Sequence, residues 1–106
     1  MGYRSEVAVV VRAKHKEALK GILLKHEWKL DEESWKENEA LGQFNVAYVQ
    51  WDPDYESVAE IEGFLRALPA EEFGFLRIGG NLEDVETIGS PWDFGLHVHR
   101  EMKMPL

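Results

Sequence analysis

Cysteine is absent from the 106 residues, which excludes disulfides, thiolate zinc sites and cysteine nucleophiles. No apolar run approaches the roughly 18 residues that cross a bilayer, and Arg4 and Glu6 ahead of a short apolar stretch do not make a signal peptide. Positive charge is scarce: twelve Lys and Arg stand against twenty Asp and Glu, a net charge of -8. Affinity for phosphate backbones comes from Lys and Arg displacing counterions, so direct attraction to DNA or RNA is not expected. Glycine-rich phosphate loops and a G-x-S-x-G nucleophile elbow are also missing, as are repeats and low-complexity segments. What is present suffices to fold. With 44% hydrophobic residues and four tryptophans, the chain should form one α+β domain over residues 1–106, expected in a cytoplasm.

The charge is unevenly placed. Residues 1–30 hold seven bases and three acids, a balance of +4, whereas residues 31–86 hold fifteen acids and three bases, a balance of −12. This segregation suggests an acidic face beside a basic first strand and helix.

Residues 4–12, centred on Val7-Ala-Val-Val-Val11, read as a central strand buried on both faces. From Lys14 to about Trp28, Ala18, Leu19, Ile22, Leu23 and His26 recur at helical spacing, with lysines elsewhere. Residues 31–42 admit a short helix or a hairpin; the preferred reading is a short polar strand from Ser34 to Glu39 turning at Gly42. In the strand Phe44–Trp51, alternation puts Phe44, Val46 and Tyr48 on one face and Ala47, Val49 and Trp51 on the other. Asp52 then suits an N-cap and Pro53 the first helical position. The helix buries Val58, Ile61, Phe64, Leu65 and Leu68, points Glu56 and Glu60 outward, and closes at Pro69.

Phe73–Ile78 reads as another strand, ended by Gly79-Gly80; Asn81 to Glu86 reads as a short capped turn; and the alternation of Phe94, Leu96, Val98, Met102 and Met104 predicts a last strand. Two helices interleaved with such strands predict a two-layer α+β sandwich. It would have a ferredoxin-like antiparallel sheet and an extra C-terminal strand.

Candidate chemistry is sparse. His97 and His99 share one strand face and would be the ligands of a small metal-dependent enzyme, but they lack a second ligand pair, and no metal, cofactor or catalytic residue is assigned. His15 and His26 read as surface or boundary residues. Arg77 interrupts an apolar strand and should bridge to an acid of residues 83–86 or to Glu101. Trp28 and Trp51 suit the core, whereas Trp35 and Trp92, in polar surroundings, suit a partner surface.

Three segments carry a resemblance: Gly2-Tyr-Arg-Ser-Glu-Val7; Trp51-Asp-Pro-Asp-Tyr55 followed by Val58 and Ile61-Glu62; and Phe75-Leu-Arg-Ile-Gly79 followed by Asp84-Val-Glu86. In order and spacing the chain resembles small proteins of tailed bacteriophages and prophages that open with Gly-Tyr-Arg-Ser, an acidic residue and Val. The resemblance implies a phage setting and host cytoplasm, with no activity to carry over. In that setting the expected role is non-enzymatic: an acidic protein that binds a host protein. It would not touch nucleic acid or membrane, and would inhibit a nucleic-acid-binding defence system such as a CRISPR effector. The partner-binding residues would be Glu56, Glu60, Asp84, Glu86, Trp35 and Trp92. A self-associating accessory or structural phage protein, such as a homodimer, is the alternative, along with the metal enzyme.

Overall fold

Val7 to Val11 carry the centre of the fold. A run of five apolar residues, four of them β-branched, favours extended backbone and can be stable only with both faces covered. The computed structural model describes residues 5–52, 54–79 and 84–96. In it, strand β1 (Ser5–Arg12) leads into helix α1 (Ala13–Lys25), strands β2 (Trp35–Glu37) and β3 (Leu41–Val49), and helix α2 (Glu56–Arg66). Strands β4 (Phe73–Ile78) and β5 (Val85–Gly89) follow. The sheet order is β2-β3-β1-β4-β5, with every neighbour antiparallel. This is the expected two-layer α+β sandwich with ferredoxin-like connectivity, and β1 lies in the middle of it.

Val7, Val9 and Val11 face the helices. They meet Leu19 and Leu23 of α1, Ile61 and Leu65 of α2, and Phe44, Phe73 and Phe75 of the flanking strands. An aromatic chain crosses this layer: Trp28 lies 5.5 Å edge-on from Phe44 and 6.1 Å from Trp51, which lies 5.8 Å from Phe75. Each fully buried Val or Phe contributes roughly 1.5–3 kcal/mol relative to exposure, so this layer supplies most of the driving force. Ala8 and Val10 point the other way and, with Leu76 and Ile78, lie under Phe94 and Leu96. That cover depends on Gly74, where a Cβ would stand 2.6 Å from Pro91 Cα.

Several local expectations are corrected. β3 begins at Leu41, so Gly42 lies inside the strand and the turn is made by Asn38, whose Oδ1 accepts from the Ala40 and Leu41 amides. A bulge sets three residues of β3 against two steps of β1, with Val7 opposite Val46 and Ser5 opposite Val49. Strict alternation therefore fails, and Val46, Val49 and Trp51 all pack on the helix-side core. Asp52 does not cap α2. It closes a turn in which the Tyr55 amide donates to its carbonyl, and the helix starts at Glu56.

Residues 85–89 form β5 rather than part of a capped turn, because Glu86 and Ile88 pair opposite Arg77 and Phe75. The extra strand is thus β5, and Phe94 belongs to a 3-10 turn, Pro91–Phe94, that ends on left-handed Gly95. Leu96 is buried in irregular backbone, and the expected last strand from residue 97 on lies outside the described residues.

Candidate functional site

The lysines of α1 do not form a separate positive face. The Lys-His dipeptide occurs twice, at Lys14-His15 and Lys25-His26, eleven residues apart, a spacing that returns to nearly the same side of a helix. Each copy clamps one carboxylate. Glu72 accepts from Lys14 Nζ at 2.8 Å and from His15 Nε2 at 2.6 Å. Glu60 accepts from Lys25 Nζ at 3.0 Å and from His26 Nε2 at 2.7 Å. The two remaining lysines of the helix, Lys16 and Lys20, converge on Glu37 of β2 at 2.9 and 3.0 Å. Hydrogen bonds from Lys16, Lys20 and the Trp35 indole pull the Glu37 carboxyl down to about 2. Glu60 is lowered by His26 and then Lys25, and Glu72 by Lys14 and then His15. His15 and His26 are therefore half-buried bridging groups rather than isolated boundary residues. The repeated dipeptide was the available signal.

Arg77 behaves as its position requires. A guanidinium in an apolar strand needs compensating acceptors, and it donates to Asp84 Oδ1 at 3.1 Å, Glu86 Oε1 at 3.1 Å and the buried Ser5 Oγ at 3.1 Å. These acids raise its pKa against the opposing effect of burial, the largest single influence.

The six sequence-derived partner-binding residues are thus dispersed. Asp84 and Glu86 share Arg77; Glu60 does not point freely outward but joins α1 to α2; Glu56 is exposed at the start of α2. Trp35 sits at the sheet edge with Lys20 Nζ 5.3 Å over its ring and its indole donating to Glu37 at 3.1 Å. Trp92 is 52% exposed. Among the described residues, Glu6, Glu27, Glu32, Glu33, Glu39, Asp54, Glu56, Glu71 and Asp93 are exposed carboxylates that meet no cation within salt-bridge distance.

Two cavities flank the segment joining α1 to β2. One, of about 420 Å³, is lined by Lys20, Leu24, Leu30, Asp31, Glu32 and Trp35. The other, of about 330 Å³, includes Asp31, Glu33, Ser34 and Asn45. Among the described residues no three His, Asp or Glu side chains stand where they could share a metal ion, and no helix is long and apolar enough to cross a membrane. His97 and His99 lie outside the described residues.

The architecture defines a small two-layer α+β sandwich protein; among the described residues most exposed groups without an ion-pair partner are carboxylates, with Arg12 and Lys36 the exposed cations that lack one. In comparisons with known proteins the chain matches no protein family, no curated protein and no solved structure.

Proposed function

We propose that this chain is a phage-encoded acidic binding protein acting in the host cytoplasm on a host protein, as an inhibitor of a nucleic-acid-binding defence system such as a CRISPR effector. One observation carries the reading: all four lysines of α1 are engaged by carboxylates within the fold, whereas nine exposed carboxylates, Glu32, Glu33, Asp54 and Glu56 among them, meet no cation, so negative charge is most of what a partner meets. Such carboxylates suit a Lys- and Arg-lined channel that ordinarily holds phosphates, and they would steer association quickly and in a salt-sensitive way. No turnover and no cofactor is part of this role. The test is affinity purification of the tagged chain from a bacterial host, followed by mass spectrometry. Recovery of a nucleic-acid-binding protein, released by salt and blocked from its nucleic acid, supports the proposal; recovery of no host protein refutes it.

Self-association as an accessory phage protein is favoured by a different observation. β5 is a terminal strand of the sheet, and Val85 on it and Trp92 are exposed. Light scattering that returns only monomer removes this second reading.

A further inference from the structure

The segment between α1 and β2 combines an apolar floor with two exposed carboxylates, Glu32 and Glu33, that meet no cation. Leu24 is 56% exposed, and with half-buried Leu30 and Trp35 it lines the larger cavity, whose rim carries Asp31 and Glu32. The lysine on that wall is already committed, since Lys20 is held by Glu37 and covers the Trp35 ring. Across the same segment, Glu33 and Asn45 line the second cavity with Lys29, which is paired with Asp31 at 3.7 Å. The Asn45 Oδ1 there is buried and has no hydrogen-bond partner. Exposed apolar surface rimmed by polar groups is typical of a recognition site.

The segment is also stiff. Asp31 Oδ1 accepts from the Glu33 and Ser34 amides, Ser34 Oγ donates to Lys29 O, and Asn45 Nδ2 donates to Glu33 O. Little ordering entropy would be lost on binding. Glu32 and Glu33 are exposed on this segment.

We propose that this groove docks a basic segment of a partner protein, seating an apolar side chain on Leu24 and Leu30 beside Trp35 and an arginine or lysine against Glu32 on its rim, within reach of Glu33 across the segment. The inference rests on the reading of the chain as an acidic binding protein. It narrows the contact from the exposed carboxylates at large to the α1–β2 groove. A second copy of the chain is disfavoured as occupant, because it would set like charges face to face.

The test is an NMR titration of the whole nitrogen-15-labelled chain with a short peptide alternating arginine and leucine. Glutamate–leucine and arginine–serine peptides serve as controls. Shifts should concentrate at the amides of Leu24, Leu30 and Trp35. The arginine–serine peptide, and the Leu24→Ser variant with the arginine–leucine peptide, should each bind about tenfold more weakly. The Glu32→Gln/Glu33→Gln variant should lose salt dependence. Both substitutions fall on exposed side chains, and unchanged unfolding midpoints confirm an intact fold. Shifts spread over Asp54 and Glu56, equal binding by Leu24→Ser, or no shift with any peptide overturns the groove. The wider reading fails separately: groove variants that recover the same host protein as the unmodified chain refute only the groove, whereas recovery of no host protein by the unmodified chain refutes the binding role itself.

Discussion

Glu60 of α2 accepts a hydrogen bond at 2.7 Å from Nε2 of His26, the C-cap of α1, and Lys25 Nζ donates to the same carboxylate. With the matching clamp of Lys14 and His15 on Glu72, it fastens α1 at both ends to the segment that runs from α2 into β4. A carboxylate that reads in sequence as a binding group is therefore part of the framework.

Acid should weaken the fold through these clamps. A carboxylate whose folded pKa lies below its unfolded value contributes stability that is complete above the unfolded value and is lost as pH falls through the folded one. Glu37 falls from an ordinary 4.5 to about 2, and Glu60 and Glu72 are lowered from the same value. The thermal midpoint should thus decline as pH drops from 4.5 to about 2. Glu37→Gln should flatten that decline; an unchanged pH profile in this variant refutes the assignment.

Trp51 Nε1 donates to Glu62 Oε2 at 2.7 Å in a buried setting, with Arg66 3.6 Å from the other carboxylate oxygen. Trp51→Phe keeps an aromatic ring but strands the acceptor, for an expected loss of about 1–3 kcal/mol in urea unfolding. Pairing it with Glu62→Leu should recover part of the loss.

Gln43 of β3 is fully buried, and neither its amide nitrogen nor its oxygen has a hydrogen-bond partner. An apolar side chain of similar volume avoids that desolvation cost. Gln43→Leu should raise stability by about 1 kcal/mol, read as a higher urea midpoint at unchanged slope; a lower midpoint shows that the amide is stabilising.

Arg77 holds Asp84 and Glu86 together. Asp84→Lys and Glu86→Lys bring a cation against the guanidinium and should each lower stability by about 1–3 kcal/mol. Glu56→Lys, at an exposed site, should leave it within about 0.5 kcal/mol. Loss of partner binding in Glu56→Lys at an unchanged unfolding midpoint would therefore report on contact, and the same loss in Asp84→Lys would report on the fold.

The order of strands and helices is legible because burial periodicity is local. The five-residue apolar run marks the central strand, and Val58, Ile61 and Leu65 mark the inner face of α2. Periodicity misled where the backbone departs from regularity. The bulge in β3 shifts the phase of Val49 and Trp51, and β5, half-exposed at the sheet edge, lacks an apolar run to announce it. The arginine bridge was foreseeable because Arg77 and its acids are close in sequence and a charge in a strand demands a partner.

Composition alone determined that no thiol chemistry occurs here and that the chain carries a net charge of -8. Only the tertiary structure decided where that charge is spent. The bonds from Lys14 and His15 to Glu72 span 58 and 57 residues, and those from Lys25 and His26 to Glu60 span 35 and 34. Sums over segments of sequence cannot register pairings at that range, because a side chain's electrostatic partners are chosen by how helices and strands pack. The segregation of bases from acids along the chain became, in three dimensions, the means by which α1 is held to its neighbours.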